Sequence, residues 1–532
     1  MAKSNLAESG SPSQGNTKLS ILLAMAMFVL VVDTSLMNVS LSAVVDDLGT
    51  TVSDVQAAIA LEALVSAAFI LISSKMGDIF GRKKAYILGL LGYATGAIAM
   101  TLTQNITAVI IFWAIIGGLG ASLLLPAMQS LIHGNFTGAA QKKTYALVGA
   151  AAAIAAAVGP LLGGFLTTFI SWRVGFLLEA VIIGVILLNL KLIKDVVYDG
   201  PREIDFVGAL LSVFGMGGLV LGILLWQEGA ESVGAVIAIG VIGLCLLAYW
   251  LVKRKKKDKN ALIDPDLFKL PNFRLGITQV AMQNIILGGA MIALPIFFQM
   301  TLEYNAMQTG LTLAPLSLTM FTAALIAGRR FSKKRPSAVV RIGFILSTVG
   351  LAAIIPIIVR ADSGWAFTIP LAITGAGLGL LVSQLNNYTL APIDEMRVSE
   401  AAGVNSAAGS FGLSFGLAMA GGVMLAALAF SFANLTNQSA IIPSSEKQQI
   451  YTTLENDAQV MSNTQLNELI ASQPEDIQGE VTSINSEARD RSLQAALLIP
   501  IVAGLIGIFN SFRMMKLPDI KPSEAAEAAS LG

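Results

Sequence analysis

Residues 22–36 read Leu22-Leu23-Ala24-Met25-Ala26-Met27-Phe28-Val29-Leu30-Val31-Val32-Asp33-Thr34-Ser35-Leu36. They sit inside an apolar run from Leu19 to Leu41. At about 20 residues per bilayer crossing the run is long enough to span. It is too long for the apolar core of a cleaved leader. Its middle carries one carboxyl, Asp33, with no basic residue within a helical turn. Thirteen more runs follow, at 54–74, 85–103, 107–131, 144–170, 174–193, 205–226, 233–252, 273–299, 307–328, 338–359, 365–391, 401–433 and 492–512. Lipid offers no partner for backbone N–H and C=O, so each run is expected to be a helix. The fold class is an all-α integral membrane protein with 14 transmembrane helices.

The composition agrees. The chain has 532 residues, 55% hydrophobic and 13% charged, with a mean hydropathy of +0.73. A soluble chain would be about a quarter charged. A soluble enzyme, a nucleic-acid-binding protein and a disordered scaffold are thereby excluded. The single cysteine, Cys245, allows no internal disulfide, and with the single histidine, His133, it makes no Cys/His metal cluster. The metal-ligand set is none. Zero net charge names no partner, but the distribution of charge sets an orientation. With the N-terminus in the cytoplasm, only Arg173, Arg360, Lys447, Arg489 and Arg491 of the 34 basic residues fall outside. The inner loops then hold Arg82-Lys83-Lys84, Lys142-Lys143, Lys253 to Lys257 and Arg329 to Arg335. The outer loops hold Asp46, Asp47, Glu228, Glu231 and Glu303. Both termini are expected to be cytoplasmic. The basic run after residue 252 is read as a topology determinant that also touches anionic lipid.

The organisation that follows is a disordered cytoplasmic tail over 1–18 and a first six-helix unit over 19–193. Two further helices occupy 194–252, and a basic linker occupies 253–272. A second six-helix unit spans 273–512, and a cytoplasmic tail ends the chain at 513–532. Residues 434–491 form a long polar outer segment. Its stretch Glu446–Ile470 is helix-permissive, with apolar residues at Ile450, Leu454, Val460, Leu466 and Leu469, and reads equally as a small helical cap or a flexible loop.

Charged groups inside a membrane are costly and are functional candidates by default. Three acids fall inside the runs: Asp33, Glu62 and Glu179. A carboxyl in low dielectric with no counter-charge favours its protonated form, which a proton-coupled transporter loads and releases. Glu62 and Ser66, spaced i,i+4, share a face and point to a polar cavity. Neutral polar residues stripe the second half: Gln279, Gln283 and Asn284, then Gln299, then Ser383, Gln384, Asn386, Asn387 and Tyr388, and Ser406, Ser410 and Ser414. Asn38, Ser66, Gln279, Gln283, Gln299, Gln384 and Asn387 are the candidate substrate-cavity residues. Interhelical hydrogen bonding is the plainer role for such residues. Mid-run, Val158-Gly159-Pro160-Leu161-Leu162-Gly163-Gly164 combines a kinking proline with close-packing glycines.

At these residues the sequence resembles the fourteen-helix drug:proton antiporter branch of the major facilitator superfamily, over about residues 19–430 and the last run. Val32-Asp33-Thr34-Ser35-Leu36-Met37-Asn38 is similar to that branch's first-helix signature. Ser74-Lys75-Met76-Gly77-Asp78-Ile79-Phe80-Gly81-Arg82-Lys83-Lys84 is similar to the superfamily's cytoplasmic gating motif. Gly159, Pro160, Gly163 and Gly164 look like the antiporter motif of the fifth helix. Ser171-Trp172-Arg173, Asp205-Phe206-Val207-Gly208 and Leu294-Pro295-Ile296-Phe297-Phe298-Gln299 match further recurring segments. The resemblance implies two six-helix bundles with two inserted helices, rocking about a central cavity. It implies a latch on the outward-facing state, in which, within the motif of Asp78, Gly81 and Arg82, Asp78 interacts with helix ends and Arg82 with acidic partners. It also implies a monomer in a bacterial inner (plasma) membrane, without cofactor, with the proton as coupling ion. The expected activity is proton-driven export of small amphipathic compounds, cationic ones among them. Departures are specific: Ser74 and Ala155 replace motif glycines, Ala114 stands where the branch has a membrane-embedded arginine, Glu62 replaces an aromatic and Glu179 an asparagine. Asp33, Glu62 and Glu179 are read as a rebuilt proton relay. The alternatives are export of one metabolite or lipid, or a polytopic receptor or enzyme. An enzyme would need a nucleophile, base or metal cluster, and His133 at a loop edge supplies none.

Overall fold

The computed structural model describes residues 17–136, 138–195, 205–227, 232–330, 335–361, 363–394, 397–443 and 473–518, with residues 447, 448, 464, 466, 467, 470 and 471 between the last two. Every regular element among them is a helix. The expected tails up to residue 16 and beyond Pro518, the turn holding Glu228 and Glu231, and residues 449–463 of the outer segment lie outside the described residues.

Among the described residues, fourteen long helices carry the fold. They are α1 Thr17–Val39, α2 Val52–Phe80, α3 Arg82–Leu102, α4 Ile106–Asn135, α5 Gly138–Phe169, α6 Trp172–Leu188 and α7 Phe206–Gln227. Then come α8 Val233–Lys255, α9 Pro271–Met300, α10 Ala306–Arg330, α11 Pro336–Ile358, α12 Thr368–Leu390, α13 Val398–Gln438 and α14 Glu475–Lys516. Thirteen are long and apolar enough to cross a bilayer. The other, α6, has 17 residues, about 26 Å at 1.5 Å per residue. A short helix, Leu41–Leu48, prolongs α1.

Local chemistry sets the ends. Thr51 and Asp54 make a reciprocal capping box that starts α2. Asn105 caps α4 through the Ala108 N–H at 2.9 Å, and Ser171 caps α6 through the Arg173 N–H at 3.3 Å. Gly81 breaks α2 from α3 with φ +104°, a conformation few side chains tolerate.

In the first bundle α1 packs on α5 and α6, and α4 on α2 and α3. In the second, α9 packs on α12, α13 and α14, α10 on α12, and α11 on α12 and α14. The bundles meet along α2–α13 and α5–α10. Helices α7 and α8 pack on each other and dock through α7 onto α2 and α13. Their glycine faces allow this: a Cβ on Gly218 would lie 2.7 Å from the Gly240 Cα.

The two ends of the bundle differ. At one, here the basic end, Asp205 ties the inserted pair to the linker. Its carboxylate accepts from Gly208 N at 3.0 Å, Trp250 Nε1 at 2.9 Å and Leu262 N at 3.2 Å, with Arg254 at 3.6 Å. The linker then docks on the start of α13: Asp264 pairs with Arg397 at 3.0 Å and with Lys255 at 2.9 Å, and its N–H donates to Glu400 at 2.7 Å. Leu262, Ile263 and Leu267 bury there against Ile70, Phe273 and Ala401. At the far end, Asp47 accepts from Trp172 Nε1 at 3.0 Å and pairs with Arg173.

One expectation is corrected. The last run was expected to begin at 492, after a polar outer segment over 434–491. Instead α14 begins at Glu475 and runs unbroken for 42 residues, about 63 Å, roughly twice the hydrocarbon core. Its first four turns bury Ile477, Val481, Ile484 and Ala488 against Leu428 and Phe432 of the equally overlong α13. Leu466 and Ile470 join that cluster. Glu303 holds the outer segment from below by accepting from Thr464 N at 2.7 Å and Thr464 Oγ1 at 2.9 Å.

Candidate functional site

The three acids of the apolar runs come together. Asp33 is 1% exposed, Glu179 2% and Glu62 8%. Each lies within electrostatic range of the other two, and Tyr93 of α3 lies within range of all three. Their settings differ. Asp33 accepts a short hydrogen bond from the Tyr93 hydroxyl. Trp113 Nε1 donates to both Asp33 oxygens at 3.0 Å. Both carboxyl oxygens of Glu179 are buried without a hydrogen-bond partner among the described residues. Among the described residues no three acidic, histidine or cysteine side chains converge on a point that would hold a metal.

The surrounding helices place these groups by close backbone contact. Gly118 of α4 faces Glu62: a Cβ there would meet the Glu62 carbonyl at 2.9 Å. The glycines of α5 sit behind Asp33. A Cβ on Gly159 would meet Ser35 Cβ at 2.6 Å, and one on Gly163 would meet Leu36 Cα at 3.0 Å. Pro160 and Gly164 then face the second bundle. A Cβ on Gly164 would lie 2.5 Å from the Ala306 carbonyl of α10, and one on Gly310 would lie 2.2 Å from the Pro160 carbonyl. This glycine-proline stretch is thus a three-helix crossing of α1, α5 and α10. Near Glu62 the second bundle reaches in directly, since Ser414 of α13 donates to the Ala60 carbonyl at 2.7 Å.

The other candidates divide into roles. Gln279 does not face a cavity: it is fully buried and donates to Gly507 O at 2.9 Å, packing α9 on α14. Gln299 is a bridge between bundles, accepting from Ser42 N at 2.9 Å and donating to Val39 O at 3.0 Å. Asn38 is buried and spends its amide N–H on Thr34 O at 2.8 Å, which leaves Oδ1 without a partner. Ser66, Gln283 and Gln384 are buried, and Asn387 is half-buried with an unpartnered Oδ1. At the basic end the Asp78 side chain lies outside the described residues. Arg82 begins α3 and lies within electrostatic range of Tyr145. Asp195 sits against Gly81 and caps α3 by accepting from Lys83 N at 3.0 Å.

Sequence reasoning missed Tyr93, Trp113 and Asp195, and had Ser414 only as a member of a polar stripe. The first two had a readable signal, since a polar-tipped aromatic deep in an apolar run must find a partner for its N–H or O–H.

Two six-helix bundles meeting along α2–α13 and α5–α10, with a buried acid cluster in one of them, define a membrane transporter fold. The chain belongs to the Major Facilitator Superfamily, whose model matches residues 23–204 and 200–417. It is 25% identical over 402 residues to the probable transport protein HsrA of Haemophilus influenzae, covering 74% of this chain and 85% of that one. It is 26% identical over 338 residues to the multidrug export protein EmrB of Escherichia coli, covering 62% and 65%. Among solved structures, a bacterial homologue of the lysosomal transporter Spinster in an inward-facing conformation superposes with a TM-score of 0.59 at 14% identity, over 95% of this chain and 99% of that one. A D-xylose–proton symporter superposes with a TM-score of 0.56 at 12% identity, over 94% and 98%. The relatives named for multidrug export or resistance agree with the drug:proton antiporter branch that the sequence resembles.

Proposed function

We propose that this protein is a proton-coupled secondary exporter of small amphipathic compounds, cationic ones among them, working by alternating access. The observation that carries the reading is the burial of Asp33, Glu62 and Glu179 in one cluster with, among the described residues, no basic side chain hydrogen-bonded to them. Acids held so in low dielectric attract protons and lipophilic cations. Asn38, Ser66, Gln283, Gln384 and Asn387 supply neutral polar contacts to the substrate. Asp78, Gly81 and Arg82 latch the basic end, and the α5 glycines the far end. The relatives named for multidrug export support the substrate class. The basic end faces the cytoplasm of a bacterial inner membrane, with both termini inside. The protein acts as a monomer, needs no cofactor but the proton, and catalyses no covalent step.

The test is a panel of lipophilic cations in proteoliposomes with an imposed pH gradient. Wild type is expected to move a cation against its gradient, and Asp33→Asn, Glu62→Gln and Glu179→Gln to uncouple it. Unchanged proton-driven transport in all three sinks the reading. Export of a lipid-like metabolite is a second reading. It is favoured by an apolar groove of about 450 Å³ lined by Phe69, Ile72 and Met76 of α2 and by Phe206 and Leu210 of α7.

A further inference from the structure

The first half of α4 is not an α-helix. Val109–Gly117 form a π-helix between one α-helical turn and the α-helix that begins at Gly118. A π-helix bonds i to i+5 instead of i+4, so each turn takes up an extra residue and the side chain presented at a given face changes. Such segments are rare and gather at functional sites. Here the segment presents Trp113, which aims its one N–H at both Asp33 oxygens. Its neighbour Ala114, fully buried, carries no donor.

Helix α3 is fitted to this wide turn. A Cβ on Gly96 would lie 2.9 Å from the Phe112 carbonyl, inside the π segment. A Cβ on Gly120 would lie 2.6 Å from Tyr93 N. The same α3–α4 contact therefore brings the Tyr93 O–H and the Trp113 N–H to one carboxyl. The Trp113 ring packs edge-on against Phe176 of α6, three residues before Glu179, with ring centroids 6.2 Å apart. The three acids are thus unequal: Asp33 has donors from two helices, and Glu179 has none.

We infer that Trp113, delivered by the π segment, and Tyr93 are the positioning residues of proton coupling. They anchor Asp33 as the fixed acid of the cluster, and Glu179 is left as the acid with no protein donor. This rests on the proposed function and adds to it a division of labour between the acids. The titratable groups facing Asp33 are Tyr93 on α3, Glu62 on α2 and Glu179 on α6. Helix α4 offers Trp113, and α5 meets this stretch of α1 through Gly159. Helix α9 reaches α1 through the neutral Gln299, and α10 has no ionisable residue between Ala306 and Ala327.

The test measures the pH dependence of cation transport in proteoliposomes for Trp113→Phe, Tyr93→Phe and Asp33→Asn. Phe176→Leu is the control, since it alters the packing of Trp113 and removes no donor. Trp113→Phe and Tyr93→Phe are each expected to move the profile by about one pH unit to higher pH, a tenfold change in proton affinity, because a carboxylate that loses a donor holds its proton more tightly. Transport at the new optimum is expected within a few-fold of wild type, and Phe176→Leu is expected to leave the profile in place. In an Asp33→Asn background the Trp113→Phe change is expected to add nothing. The inference is overturned if Trp113→Phe lowers transport equally at every pH, or leaves the profile where it was while Asp33→Asn uncouples. If Asp33→Asn retains full coupling while Glu62→Gln or Glu179→Gln uncouples, the inference falls and the proposed function stands; if all three retain it, the proposed function falls first.

Discussion

Gly164 has no room for a side chain. A Cβ there would fall 2.5 Å from the Ala306 carbonyl and 2.9 Å from the Met307 Cα, and backbone of a packed helix does not yield cheaply. Gly164→Val should therefore push α5 from α10 at a cost of about 1–3 kcal/mol. The expected outcome is a lower unfolding temperature in detergent and transport reduced at all pH values. Equal stability to wild type would show that the bundles do not rely on this contact. The same residue scale separates what could be read in the sequence from what could not. Asp33, Glu62 and Glu179 were legible because a lone carboxyl in an apolar run has no structural use that composition can supply. The partners of Asp33 were not. Tyr93 and Trp113 lie 60 and 80 positions further along the chain. Trp113 reaches the acid through a π register that no α-helical periodicity anticipates. Gln279 was ambiguous for the complementary reason: an amide in an apolar run serves a cavity or a neighbouring backbone carbonyl equally well, and the position of Gly507 favours the carbonyl.

The helices themselves were legible, since the bilayer fixes their length and their backbone bonding. The start of α14 was hidden because residues 475–491 are mostly polar. Their apolar residues, at 477, 481, 484 and 488, form a helical stripe that only the overlong α13 makes useful. The linker between the inserted pair and α9 holds a second element-scale device. Burial pushes the Asp264 carboxyl up. The Asp266 N–H, Lys255 and Arg397 outweigh it and hold the group below its ordinary value of 3.8. A carboxyl depressed on folding stabilises above its unfolded value, and that stability is lost as pH falls through the folded one. Docking of the linker on α13 should thus be indifferent to pH between about 5 and 8 and should loosen below about 4. Asp264→Asn should lower the unfolding temperature at pH 7, and the gap to wild type should close on acidification below that point. A gap that persists unchanged to pH 3 would place the stabilisation elsewhere, for example in the Asp264 N–H bond to Glu400.

Across the whole molecule, two polar contacts fasten the bundles to each other at the far end in this structure. Gln299 joins α9 to α1 and its short extension. The Met307 N–H of α10 donates to Thr168 Oγ1 of α5 at 3.0 Å. If the bundles rock about the acid cluster, these contacts must part once per cycle, because the substrate has to leave by the end they close. Thr168 and Met307 are the better pair to test, since each sits at a helix end and a single hydrogen bond separates them. A disulfide or a short bis-thiosulfonate bridge covers that reach. In a Cys245→Ser background, needed because Cys245 is exposed, the double variant Thr168→Cys/Met307→Cys should transport while reduced. It should stop when bridged and recover on reduction, with cation binding retained in the bridged form. Binding that survives while turnover stops separates a locked cycle from a damaged site. Transport that continues through a bridge verified by mass spectrometry would mean that the α5–α10 seam stays shut throughout. The motion would then have to be assigned to α2–α13 alone.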